Sequence, residues 1–511
     1  MARHNREALA LVAPDGTEYS RATLAASTNR LVHGLRALGL KTGDCVATVL
    51  PNGTELIELY LACFQAGFYL TPINHHLTAP EVAHIVGDSD SKLLVGHERF
   101  APACTGAAEE LRLDSDRCFA VGDVAGFRPY ASISSGHSDA EPDNRSAGQV
   151  MNYTSGTTGR PKGVRRPLSG ADPDIMGSMF AMFLAMFGIQ PEDGNVHLCG
   201  SPLYHTAVLV FASCSLHWGH TVVLMDKWTP ERSLALCEQY RVTTSHMVPT
   251  QFNRLLALPP EIRGRYDLSS LRTMVHAAAP CPPEIKRRML SWWGPVIFEY
   301  YAASEGGGTL VTPEEWLQHP GTVGRPWPGA DIKIFDDESK DGGECSANQP
   351  GTVYIALGAQ DFRYHKDERK TEDSRRGGYF TVGDIGYLDA EGYLYLCDRK
   401  ADMIISGGVN IYPAEIESVL LSHRKVADVA VFGIPHDDWG EEVKAVVQPA
   451  EGVEADESLA EELGAFCEGK LAKYKRPRSL DFIEEMPRDP NGKLYKRKLR
   501  DPYWRDRRRA I

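Results

Sequence analysis

Two spacings of apolar residues alternate along this chain. After Ser20 the series Leu24, Thr28, Leu31, Leu35 and Leu38 predicts a helix with one buried face, capped by the serine. Gly39 and Gly43 end it, and the unbroken run 45–50 reads as a buried strand. Asn52 opens a second helix that runs to Ala66 and is closed by Gly67, and a further apolar segment covers 68–73. The alternation resumes past residue 200. Segments 217–224, 243–248 and 271–277 are strand-like, while 234–240 and 283–292 are helix-like, the latter with proline in its first turn. Strand and helix at this pitch predict a doubly wound α/β domain.

The texture then changes twice. After Gly321 come short alternating strands at 331–335, 351–355 and 385–396, the last broken by a hairpin turn at Asp389-Ala390-Glu391-Gly392. From Asp402 a helix at 413–421, strands at 426–434 and 443–447, a helix at 456–471 and a strand at 480–484 form an α+β unit of ordinary domain size. The expected fold is therefore α/β. A large doubly wound N-terminal domain, 1–399, carries a β-rich subdomain at about 321–399, and a small α+β C-terminal domain occupies 400–511.

Composition changes this picture little. At 511 residues, 42% hydrophobic and 24% charged, the chain has the balance of a globular protein. A net charge of −13 and a pI near 5.7 argue against nucleic acid as a general partner, since phosphate backbones select basic faces. The basic stretch 495–500 with Arg505, Arg507, Arg508 and Arg509 is read as a solvated tail or an anionic-ligand patch. Eleven cysteines with no Cys-x-x-Cys pair suggest reduced thiols in a cytoplasmic protein. The N-terminus has no apolar secretion core, and the most apolar long stretch, 179–189, falls short of the ~20 residues of a membrane span. No stable membrane insertion is expected. The oligomeric state stays open, a homodimer included.

The candidate chemistry is concentrated in four short strings. The first is Thr154-Ser155-Gly156-Thr157-Thr158-Gly159-Arg160-Pro161-Lys162-Gly163, behind an apparent strand at 149–153. Glycines let backbone N–H groups turn toward an anion, and hydroxyls and a lysine add donors and charge, so the string suits a polyphosphate. Its spacing is not that of a Walker A loop. The second is Glu299-Tyr300-Tyr301-Ala302-Ala303-Ser304-Glu305-Gly306, in which a hydroxyl beside a carboxylate can contact a phosphate oxygen and hold Mg²⁺, and a tyrosine can stack on adenine. The third is Thr381-Val382-Gly383-Asp384, followed by Arg399 in Asp398-Arg399-Lys400-Ala401-Asp402. The fourth is Pro490-Asn491-Gly492-Lys493-Leu494, a turn that presents one lysine near the C-terminus.

Taken in order, these strings resemble the phosphate loop and later elements of the adenylate-forming superfamily: acyl-CoA synthetases, peptide-synthetase adenylation domains and luciferases. The resemblance spans essentially the whole chain. In texture it is nearest to bacterial fatty-acyl-CoA ligases, through Pro202-Leu203-Tyr204-His205, His276-Ala277-Ala278-Ala279-Pro280 and Ser406-Gly407-Gly408-Val409-Asn410-Ile411-Tyr412-Pro413. It implies that Thr154 to Gly159 and Lys162 grip the phosphates of ATP. Ala277, Ala278, Ala279, Glu299, Tyr300, Tyr301 and Ala302 would receive adenine, Ser304 a phosphate, and Asp384 and Arg399 the ribose. Glu305 and Thr154 would hold Mg²⁺. Lys493 would neutralise charge during adenylation and then be exchanged, by rotation of a mobile small domain, for the coenzyme A segment Ser406, Gly407 and Gly408. His205 would wall the acyl pocket, with Thr206, Phe211, Val248, Thr250 and Ala278 as further lining. None of the five lining residues Thr206, Phe211, Val248, Thr250 and Ala278 is basic, so none of them answers a second carboxylate.

The implied reaction activates a hydrophobic carboxylic acid, a medium or long fatty acid or a bulky ring-bearing one, as acyl-AMP and passes it to coenzyme A. The alternatives are another acceptor (carrier protein, amine or nitrite) or luciferase-like oxidation. The chain departs from the superfamily at Ala401, where a charged residue often marks the hinge. A hinge needs only to absorb a backbone change, so no chemical role follows for Ala401.

Overall fold

A computed structural model of the protein describes residues 5–154, 161–303, 305–337, 342–358, 362–488 and 492–505. Two sheets of mainly parallel strands form the large unit. One has six strands in the order Arg128–Pro129, Cys118–Val121, Ser91–His97, Cys45–Thr48, Tyr69–Pro72, Gln149–Val150. The other has nine, its centre being Ile297–Ala302, Thr273–His276, Thr244–Met247, Val196–Cys199 and Thr221–Leu224 in parallel register. Central strands buried on both faces require helices on either side.

Three of those helices fill the layer between the sheets. Arg21–Ala37 begins at Ser20, whose side chain accepts from the Thr23 N–H as the spacing predicts. Thr54–Ala66 ends on Gly67 in the left-handed region, φ +75°. Thr206–His217 is buried over most of its length, Val208, Leu209 and 211–216 included. Leu24, Leu31, Ile57, Val208 and Leu216 belong to one core cluster with residues of both sheets.

Several expected boundaries shift. Asn52 does not open the second helix, which starts at Thr54 with Gly53 as its cap. Its buried amide instead donates to the Ser201 and Met225 carbonyls, 2.9 Å each, and accepts from the Leu203 N–H at 2.7 Å. One asparagine thus rivets the two sheets, satisfying three backbone groups that burial would otherwise orphan. The strand expected from 217 starts at Thr221, and His217 is the last residue of a helix. The strand expected at 149–153 is broken into Gln149–Val150 and Asn152–Thr154, which join different sheets. The helix expected to reach 471 ends at Phe466.

The β-rich region forms a sheet around Gly351–Leu357, with Ala330–Phe335 and Asp384–Leu388 beside it. Asp384–Leu388 and Leu394–Arg399 pair as the expected hairpin. A last sheet, built only from residues 404–482, has the long hairpin Val426–His436 and Gly440–Pro449 at its centre and its own core around Ile404, Ile416, Val431 and Val447. Among the described residues, no helix is long and apolar enough to cross a membrane.

Candidate functional site

One cavity of about 2490 Å³ runs from the C-terminal ends of the nine-stranded sheet to the small unit. Ligands of doubly wound sheets bind at this end of the strands. The strand Thr273–His276 delivers Ala277, Ala278 and Ala279 to the wall, and Ile297–Ala302 delivers Glu299, Tyr300, Tyr301 and Ala302. Ala278 sits at φ +71°, a conformation that costs energy for any side chain and that the surrounding structure must enforce.

Asp384, Arg399 and Glu305 line the same cavity. Tyr301 donates its hydroxyl to Asp384 at 2.6 Å, and Arg399 stands 3.4 Å from the other oxygen. Burial, and then the Asp384 charge, push the Tyr301 phenol well above its ordinary value, so it stays a donor. Glu305 is 7% exposed and accepts from the Tyr364 hydroxyl at 2.7 Å. Arg166, also on the cavity, is pulled down by burial and held up by the Glu305 charge. Glu305 suits a Mg²⁺ ion that takes its other ligands from phosphates and water, the usual arrangement for that ion. Among the described residues no cluster of three or more metal-ligating side chains gathers.

Glu299 has an additional place in the structure. Its carboxylate is 2.6 Å from the fully buried Lys286 ammonium and 3.3 Å from His276. Burial alone would raise its pKa, and the two neighbours override that and hold it at about 2. Tyr300 is walled in by Phe183, Phe187 and Phe211 and shares a 3.3 Å hydrogen bond with His246.

His205, at the N-cap of Thr206–His217, lines the cavity with Thr206, Thr250 and Ala278. Burial, reinforced by Lys493, His246 and two further histidines, pushes it down to about 3, so the imidazole is neutral. Phe211 and Val248 do not line the cavity, contrary to expectation. Phe211 is 1% exposed among the rings of Phe183, Phe187 and His246, and Val248 is fully buried. Val210 takes the place expected of Phe211.

Lys493 faces the cavity beside Gly492 and Leu494. Lys162 does not; it pairs with Asp367, whose pKa it lowers. Ser406, Gly407 and Gly408 also lie off the cavity, at the hairpin of Ile404–Ser406 with Val409–Ile411. Ser155, Gly156, Thr157, Thr158, Gly159 and Ser304, and the side chain of Thr154, lie outside the described residues.

Linear reasoning missed the outer wall. Helix Pro173–Ala181 and the turn of 3₁₀ helix Met182–Phe187 contribute Met176, Met179, Phe180, Met182, Phe183 and Met186 to the cavity. Met179, Phe180 and Met182 are also 58%, 42% and 62% exposed, so the cavity opens to solvent along an apolar lip. The signal was the Met/Phe run within 179–189, noticed above only for its length.

A family profile described as AMP-binding enzyme matches residues 1–361, and one described as AMP-binding enzyme C-terminal domain matches 415–493. The chain is 34% identical over 473 residues to 2-succinylbenzoate–CoA ligase of Bacillus licheniformis, covering 91% of both. It is 32% identical over 513 residues to the fatty acid–[acyl-carrier-protein] ligase ScoC of Streptomyces coeruleorubidus, covering 97% of this chain and 94% of that protein. The fold matches the amide bond synthetase McbA from Marinactinospora thermotolerans with a TM-score of 0.81 and 28% identity over 97% of both chains. With both profiles matching in order and relatives aligned end to end, the chain belongs to the AMP-binding enzyme family of adenylate-forming acid–CoA and acid–carrier-protein ligases.

Proposed function

We propose that this enzyme joins a hydrophobic carboxylic acid to coenzyme A in two half-reactions. In the first, a carboxylate oxygen attacks the α-phosphorus of ATP, the bond to the β-phosphate oxygen breaks, and pyrophosphate leaves acyl-AMP. In the second, the coenzyme A sulfur attacks the acyl carbon, the thiol proton is lost, and AMP departs. The observation that carries this reading is one continuous cavity on which Lys493, Asp384, Arg399 and Glu305 meet an apolar wall of Met179, Phe180, Phe183, Met186 and Val210.

Each group has a role suited to its place. Asp384 accepts from ribose hydroxyls, with Tyr301 and Arg399 fixing its carboxylate. Ala277, Ala278, Ala279 and Ala302 leave room for adenine against backbone. Mg²⁺ brought with the nucleotide would be held by Glu305 and Thr154 and would screen phosphate charge. Lys493 supplies positive charge where two anions approach, the term that dominates such a reaction. Neutral His205 bounds the acyl pocket without binding the carboxylate as an ion pair. For the second step, residues 400–511 rotate on 1–399 near Lys400, withdrawing Lys493 and bringing Ser406, Gly407 and Gly408 to the thiol's path.

The test is acid-dependent pyrophosphate release with MgATP across fatty, ring-bearing and aromatic acids, with and without coenzyme A, followed by product mass. Thioester from an apolar acid is the expected result. A second reading has support in the relatives, one named for carrier-protein loading and one for amide synthesis. Pyrophosphate release that coenzyme A never converts to thioester would establish it.

A further inference from the structure

Lys493 reaches the cavity from a finger of two short antiparallel stretches, 486–488 and 492–495. Arg488 bridges Leu494, the Tyr495 N–H donates to the Pro487 carbonyl at 2.8 Å, and the Met486 N–H donates to the Gln448 side chain at 2.9 Å. The finger is held at its root by one guanidinium. Arg488 forks onto Asp428, Nε to Oδ2 at 2.5 Å and Nη2 to Oδ1 at 2.7 Å. Its remaining Nη1 donates to the Gly492 carbonyl at 2.6 Å, one residue before Lys493. Both side chains are less than a fifth exposed, which strengthens a charge-assisted, two-pronged pair.

One helix of the large unit, Pro249–Leu256, touches this assembly. Asn253 donates from Nδ2 to the carbonyl of Ala427, the neighbour of Asp428, at 2.9 Å. Thr250, three residues earlier and on the same face, lies so close to Gly492 that a Cβ there would overlap its hydroxyl. Gly492 itself is in the left-handed region, φ +79°. A contiguous line therefore runs Asn253, Ala427, Asp428, Arg488, Gly492, Lys493.

We infer that Asn253 and Arg488 are positioning residues for acyl-adenylate formation: Asn253 registers the small unit on the large one, and Arg488 aims the finger that carries Lys493. The inference rests on the reading of Lys493 as the adenylation lysine. Both side chains border the cavity, and each is assigned its part through these protein contacts rather than through a reacting atom. The Asn253 contact crosses the two units and belongs to the arrangement in which Lys493 faces the cavity. The Arg488 contacts lie within residues 400–511 and set the path of the chain that carries Lys493. Losing either slows the half-reaction that needs Lys493 and spares the other.

Asn253→Ala and Arg488→Met test this in the full chain, with pyrophosphate release, thioester formation from supplied acyl-AMP and coenzyme A, and hydrogen exchange of 486–495 measured in parallel. Asn253→Ala is expected to slow pyrophosphate release about fivefold, the worth of one neutral hydrogen bond, and Arg488→Met by roughly 30-fold or more. Arg488→Lys, which keeps the charge and loses the fork, recovers only part. Thioester formation stays within about twofold of wild type, and exchange of the finger quickens in both variants. Equal losses in both half-reactions, or unchanged pyrophosphate release in both variants, would overturn the inference. Should Arg488→Met fail to fold, Asn253→Ala carries the test. A wild-type chain that releases no pyrophosphate with any acid would overturn the ligase reading instead, and hydrogen exchange alone would then decide whether these residues hold the finger.

Discussion

At the scale of single residues, the largest electrostatic commitment is Lys286, fully buried, 2.6 Å from Glu299 and 4.7 Å above the Trp316 ring. Removing one partner of such a pair strands a charge in a low dielectric. Lys286→Met is expected to cost about 3–5 kcal/mol, read as a lower urea midpoint, and adding Glu299→Gln should return most of it. The pH sense follows from the lowered Glu299 pKa: the pair's contribution is complete above the unfolded value near 4.5 and disappears as pH falls toward about 2. Lys493→Ala should behave differently. It should leave the midpoint unchanged, cut acyl-AMP formation by roughly 10²-fold or more, and spare thioester formation from supplied acyl-AMP. Equal loss of both half-reactions would remove the role given to Lys493. The two lysines also differ in legibility. Lys493 stands in a short string whose composition marks a turn, whereas the Lys286–Glu299 and Tyr364–Glu305 partners meet across 13 and 59 residues with no local pattern to announce them.

At the scale of elements, neighbouring strands Val196–Cys199 and Thr244–Met247 carry His197 and His246 on the face that meets Phe211. Burial, then neighbouring histidines, holds both at about 3, and His205 shares that value. A native pKa below the unfolded value near 6.5 means that the unfolded chain alone takes up the proton between those limits. Stability therefore falls as pH drops from 6.5 toward 3, by up to about 1.4 kcal/mol per pH unit for each such histidine. His246→Gln should flatten the pH dependence of the urea midpoint by about one proton; an unchanged slope would refute this. The same elements show where sequence reading ran out. Most of Thr206–His217 is buried, and its apolar run at 207–212 hides the 3.6-residue period that distinguishes a helix from a strand. Without that phase the cavity-facing residue was misplaced by one position, about 100° of helix, and Val210 rather than Phe211 lines the wall. Exposed-and-buried helices such as Arg21–Ala37, by contrast, were legible down to the cap.

At the scale of the whole molecule, the α/β class and the smaller C-terminal unit were legible, because each unit closes its own core, whereas the division of the large unit between two sheets was not. The mutual placement of the units was not, since it turns on contacts such as Asn253 to Ala427, 174 residues apart. A cavity lined by both units makes any ligand that fills it a cross-link. A non-hydrolysable acyl-adenylate at 100 times its Kd should add about 2.7 kcal/mol and draw the calorimetric transitions of the two units together; a shift confined to one transition would argue that the small unit takes no part in binding. The apolar lip has a further consequence, in redox chemistry. Burial pushes up the pKa of all eleven thiols, eight of which are buried outright, so oxidants find little thiolate. The thioethers of Met179 and Met182 stand in solvent at the cavity mouth. Peroxide would reach them first, and each sulfoxide would turn a greasy threshold polar, raising the KM for long apolar acids until methionine sulfoxide reductase restored it.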